Sequence, residues 1–127
     1  MRPNTGSSPS EKAATRELVS RLVAGLDPEA IWLFGSRTRG THRPDSDFDL
    51  LVVTRTDDGE AGHDYDRAYA PICGLGIGVD IVPCREDDLE AELRQPSSMF
   101  ADIVRTGLKL YDRGQSKALL QLADQEA

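Results

Sequence analysis

The sequence is short of the features that mark several protein classes. It has two cysteines, Cys73 and Cys84, and neither sits in a C-x-x-C pair with neighbouring histidines, which argues against a structural zinc site and leaves both as buried or half-buried free thiols. Its two histidines, His42 and His63, have no partner pattern and read as surface residues. No apolar stretch approaches the ~20 residues that span a bilayer, and the runs that exist, Ala30 to Phe34 and Leu50 to Val53, suit buried strands. Met1 to Ser10 lacks the apolar core of a secretory signal, so the expectation is a cytoplasmic protein with no membrane partner. Positive charge is scarce too: 15 Lys and Arg face 22 Asp and Glu, a net charge of -7. Gripping long nucleic acid takes a basic surface, and no extended nucleic-acid binding is expected. A nucleoside triphosphate is not excluded, because a divalent cation and a few local donors can offset the repulsion.

What is present suits one domain. The chain has 127 residues, 39% of them hydrophobic and 29% charged, enough for one core and too few for two. Residues 1–9, rich in Pro, Gly and Ser, read as a flexible lead-in. The ordered domain is expected over 10–114, with 115–127 as a last helix or a tail. Leu18, Val19, Leu22, Val23 and Leu26 recur at helical spacing, and Gly25 with Asp27-Pro28 is expected to end that helix. Ala30 to Phe34 and Phe48 to Thr54 read as strands, with Trp32 in the core. After a loop at Asp57 to Gly62, a helix is expected over His63 to Cys73 and a third strand over Gly78 to Cys84. Asp87 is expected to cap one helix, Ser97 or Ser98 another ending at Gly107, and Leu108 to Tyr111 to form a short strand. The fold class is α/β (α+β): a small mixed β-sheet covered by helices.

Two segments carry chemistry. Gly35 follows a strand directly, where the absence of a Cβ lets the backbone turn and approach a phosphate, and Ser36 adds a hydroxyl at a helix start. Arg37 and Arg39 are placed to supply positive charge there, while Arg37, Arg39 and Arg43 each read equally well as surface charges. Asp47 and Asp49 stand two apart at a strand start, so alternation sends both carboxylates to one face and Phe48 to the other. Two like charges about 4 Å apart repel by roughly 4 kcal/mol at an effective dielectric of ~20. Magnesium held by one or two carboxylates and phosphate oxygens removes that penalty. Asp80, flanked by Val79, Ile81 and Val82, is a carboxylate in an apolar strand that packing alone does not explain. Paired beside the second strand it would join the other two, making a two-metal centre in which it shares an ion or takes a proton. Gly74, Gly76 and Gly78 alternate like a dinucleotide loop but precede a strand instead of following one, so that assignment is rejected.

Gly35-Ser36, ten intervening residues and Asp47-Phe48-Asp49 resemble the Gly-Ser-x10-Asp-x-Asp signature of the DNA polymerase beta-like nucleotidyltransferase superfamily. The short length is similar to its minimal nucleotidyltransferase branch. Val79-Asp80-Ile81-Val82 resembles the family's third-carboxylate strand, and Ile103 to Tyr111 its closing segment. The resemblance implies transfer of AMP from ATP, with Mg²⁺ on Asp47, Asp49 and Asp80, to a hydroxyl. It also implies an antitoxin that modifies a tyrosine of a HEPN-domain toxin partner. Two alternatives stay open: a non-catalytic nucleotide-binding antitoxin acting by complex formation, and a small-molecule (antibiotic) nucleotidyltransferase working as a homo-oligomer. The family's larger antibiotic-modifying members carry an added helical domain, for which this chain has no room.

Overall fold

The first helix begins where a serine can satisfy its open amides. A computed structural model of the protein describes residues 2–57, 65–116 and 118–120, and in it the Ser10 side chain accepts from the Ala13 N–H at 3.1 Å, starting α1 at Glu11–Leu26. Ala14, Leu18, Leu22 and Leu26 form its buried stripe, one residue per turn, with Val19 and Val23 half-buried beside it. Of the expected stop at Gly25 and Asp27-Pro28, it is Asp27 that ends the helix: it takes the left-handed conformation, φ 45, and returns its N–H to Val23 O. Gly25 is helical and serves packing, since a Cβ there would meet Pro71 Cγ at 2.5 Å.

The strands are β1 (Ala30–Phe34), β2 (Phe48–Thr54), β3 (Val79–Arg85) and β4 (Leu108–Asp112). They form one mixed sheet in the order β3-β2-β1-β4, antiparallel except for the parallel pair β2 and β3. Short helices lie between: α2 (Tyr65–Tyr69), α3 (Glu86–Glu92) and α4 (Met99–Thr106), with single 3₁₀ turns at Gly35–Thr38 and Ala70–Ile72. The expected α/β (α+β) architecture is what the chain adopts.

Both sheet faces are covered, which explains why β2 is apolar on both sides. On one face Phe48, Leu50, Val52, Ile31 and Ile81 pack against Leu18, Leu22 and Leu26 of α1 and against Ala68 and Ile72. On the other, Trp32, Leu51, Val53 and Cys84 meet Leu89 of α3 and Ile103 and Val104 of α4. Cys84 is free and its burial pushes the thiol up to about 12, while Cys73 is free and exposed. The Tyr69 hydroxyl accepts the Ile81 N–H at 2.7 Å, joining the end of α2 to β3. Ser98 caps α4 through Phe100 and Ala101, and Gly107 follows it. Helix α3 starts at Glu86, with Arg85 and not Asp87 at the cap position.

Residues 118–120 are helical. Most of the Asp57 to Gly62 loop, the first two residues of the helix expected from His63, and 121–127 lie outside the described residues. No helix among the described residues is long and apolar enough to cross a membrane.

Within residues 2–9, expected to be a flexible lead-in, Asn4 hydrogen-bonds to two other stretches of backbone, one at Pro44 and Ser46 and one at Gly78. At the opposite end of the sheet, the starts of β1 and the ends of β2 and β4 gather a second charged group. There Glu29 is 5% exposed and 3.4 Å from Arg113, and burial followed by Glu86 raises its carboxyl above the usual range.

Candidate active site

The parallel register of β2 and β3 sets Asp49 directly beside Asp80, with Phe48 beside Val79. Asp49 and Asp80 project to the face that carries Leu51, Val53 and Cys84 further along, because alternation keeps every second residue on one side. Asp47 ends the loop one residue before β2. Asp49 feels both neighbours. Its carboxyl is held above the usual aspartate range by burial first, then by the negative charges of Asp80 and Asp47, with Arg37 and Arg39 acting in the opposite direction. The structure thus brings all three predicted carboxylates to the same end of two adjacent strands.

Two glycines let them stand so close to the backbone. Phe34 pairs with Asp49 across the β1–β2 ladder, and Gly35 follows it with φ +79; a Cβ at Gly35 would collide with Asp49 Oδ2. Gly35 opens the Gly35–Thr38 turn, which closes through Thr38 Oγ1 donating to Gly35 O at 2.7 Å. Ser36 lies on that turn, half-buried, and its carbonyl accepts the Arg39 N–H at 3.1 Å. Gly78, just before β3, does for Asp47 what Gly35 does for Asp49: a Cβ there would collide with Asp47 Oδ1. The sequence shows this second contact only as a glycine preceding the strand of Asp80, and nothing local ties it to Asp47.

The two arginines part ways. Arg37, expected to point positive charge at a phosphate, is turned into the protein with its side chain 2% exposed and 3.0 Å from Glu11 Oε1. Its Nη2 donates to Pro44 O at 3.2 Å and Ser46 O at 2.6 Å, and its guanidinium sits 4.0 Å over the Phe48 ring. It brackets the loop that delivers Asp47, and both terminal nitrogens expected to face a phosphate are engaged within the protein. Arg39 is exposed and makes no side-chain hydrogen bond or ion pair among the described residues. Replacing Arg37 by alanine is therefore expected to lower stability by about 2–4 kcal/mol, since it removes two hydrogen bonds, an ion pair and the packing of a buried guanidinium on the Phe48 ring. Arg39→Ala is expected to stay within ~0.5 kcal/mol of the parent in urea unfolding.

Among the described residues no three His, Cys, Asp or Glu side chains are gathered tightly enough to cage an ion by themselves. The negative charges of Asp80 and Asp47 beside Asp49 are what a bound cation would offset.

Residues 14–100 match the model of the nucleotidyltransferase domain. The chain belongs to that family. The match runs from α1 to the start of α4 and includes every residue of the carboxylate site. Three solved structures share the fold of this nucleotidyltransferase. A candidate nucleotidyltransferase from Sulfolobus solfataricus is 22% identical, with 83% of this chain and 82% of that one covered and a TM-score of 0.52. A toxin–antitoxin structure with AMP-PNP is 24% identical, with 88% and 86% covered and a TM-score of 0.54. A mutant of the MntA–HpeT toxin–antitoxin, carrying two Asp-to-Glu substitutions, is 22% identical over 88% and 86%, with a TM-score of 0.53. No curated protein matches the chain significantly.

Proposed function

We propose that this nucleotidyltransferase moves AMP from ATP to a hydroxyl on a protein partner, and that it is the antitoxin of a toxin–antitoxin pair. The single observation that carries the reading is the pairing of Asp49 with Asp80 in the β2–β3 register, beside Asp47 and the Gly35 turn. Structures of the same fold described as toxin–antitoxin, one of them with AMP-PNP, support the partner and the nucleotide. The family resemblance points to a tyrosine of a HEPN-domain toxin as the acceptor.

Asp47 and Asp49, with Asp80, are the groups that would hold magnesium. The ion, when bound, supplies positive charge to offset the carboxylates and the triphosphate and makes an attacking hydroxyl more acidic. The backbone at Gly35-Ser36 offers amides at the first turn of a helical segment, which have no partner inside it. Arg39, exposed and close enough to act on the Asp49 proton, adds charge toward the phosphates. Asp80, the exposed member of the β2–β3 pair, accepts the proton of the acceptor hydroxyl. The hydroxyl oxygen bonds to the α-phosphorus, the bond between that phosphorus and the bridging oxygen breaks, and pyrophosphate leaves.

The test is incubation of the protein with α-labelled ATP, magnesium and the product of the neighbouring gene. Label is expected on the partner, with a loss of about 10³-fold or more in rate for Asp80→Asn and little change in nucleotide affinity. Tight complex formation without label would instead assign the protein to non-catalytic neutralisation. Equal loss of binding and transfer in Asp80→Asn would remove the role given to that residue.

A further inference from the structure

The strap of residues before α1 is bound to both loops that deliver the carboxylates. Asn4 N donates to Pro44 O at 2.9 Å, and Asn4 Nδ2 donates to Ser46 O at 2.9 Å and to Gly78 O at 2.8 Å. Asn4 Oδ1 accepts the Gly78 N–H at 2.6 Å. One amide side chain thus brackets the peptide immediately before Asp47 and both polar groups of the residue two before Asp80. Gly78 is also the residue whose missing Cβ leaves room for Asp47 Oδ1, and its carbonyl accepts the Phe48 N–H at 3.0 Å. The strap also passes close to the backbone ahead of Gly78: at Gly6, φ +57, a Cβ would collide with the Leu75 carbonyl oxygen.

We infer that Asn4 is a positioning residue for the nucleotidyltransfer site, fixing Asp47 relative to Asp80 by joining their two loops. The inference rests on the nucleotidyltransfer reading. The chemistry requires asparagine: one acceptor and two donors at a short reach. Aspartate keeps the acceptor but loses both donors and sets a negative charge against two carbonyls. Alanine removes the side-chain links between the loops and leaves only the Phe48 N–H to Gly78 O bond and the strand pairing that follows it. A carboxylate moved by an ångström binds its ion in the wrong geometry, and loss of a group that orients ligands weakens metal binding about 10–100-fold.

The test is a Mn²⁺ titration, followed by electron paramagnetic resonance, of the full chain with AMP-PNP. The proteins compared are the parent, Asn4→Ala, Asn4→Asp and Leu22→Ala, the last destabilising the core face of α1 without touching either loop. The expected result is a Mn²⁺ dissociation constant raised 10-fold or more in whichever Asn4 variants fold, and unchanged in folded Leu22→Ala. Asn4 variants that bind within twofold of the parent, or a Leu22→Ala variant that weakens as much as they do, would overturn the inference. A parent protein that binds no Mn²⁺ would overturn the nucleotidyltransfer reading itself and this inference with it.

Discussion

Asp49→Asn is expected to make the metal-free protein more stable while ending its activity. The Asp49 carboxyl is raised above its usual value by burial and by Asp80 and Asp47, so between those two values the folded chain binds a proton that the unfolded chain does not. Stability therefore falls as pH rises through that window, and the whole cost is present at neutral pH. Asparagine carries no charge, so the cost disappears and the pH dependence flattens across the window. Solvent at the rim screens the repulsion, and the gain is expected to be about 1 kcal/mol, a rise of a few degrees in Tm. Saturating magnesium and AMP-PNP should invert the order, because only the parent has the carboxylate the ion uses; ligand at 100 times its dissociation constant is worth about 2.7 kcal/mol. Transfer is expected to drop by about 10³-fold or more. Thermal melts at neutral pH, with and without the ligands, check the crossover. A lower Tm for the metal-free variant would contradict it.

Gly35→Ala is expected to damage the site from the backbone side. Its φ of +79 strains any L side chain, and the new Cβ collides with Asp49 Oδ2. The strain costs about 1–2 kcal/mol. The displaced carboxylate should lower transfer by about 100-fold, in line with what a 1 Å misplacement does to a reacting geometry. Gly40→Ala separates the two effects, since Gly40 has φ +68 but open space where a Cβ would go. It should show the same loss in urea unfolding and retain most of the activity. Equal activity losses in both variants would mean that backbone strain, and not the Asp49 contact, explains the result.

Those two aspartate and glycine positions were legible in the sequence because their signals are local. Gly35 after an apolar run, the Asp47-Phe48-Asp49 alternation and an acidic residue inside Val79–Val82 each follow from strand geometry, and the register places Asp49 and Asp80 side by side. The sheet and its covering helices were legible for the same reason: Leu18, Leu22 and Leu26 mark one face of α1 at helical spacing. What escaped depends on contacts distant along the chain. Arg37 looks like a phosphate ligand among its neighbours, and only the fold reveals Glu11 beneath it and the Pro44 and Ser46 carbonyls beside it. Asn4 lies in a Pro-Gly-Ser stretch whose composition predicts flexibility, yet its partners at Ser46 and Gly78 are 42 and 74 residues away. Gly25 shows the same limit in miniature, acting as a helix interior because Pro71 needs the space.

The central claim is that Asp47, Asp49 and Asp80 form a metal–triphosphate site. It is tested most directly by anomalous diffraction from crystals grown with Mn²⁺ and AMP-PNP. The account predicts an anomalous peak within coordination distance of Asp49 and at least one of Asp47 and Asp80, with triphosphate oxygens completing the shell beside Gly35-Ser36. Nucleotide bound elsewhere, or bound at the turn with no ion on these carboxylates, would contradict it.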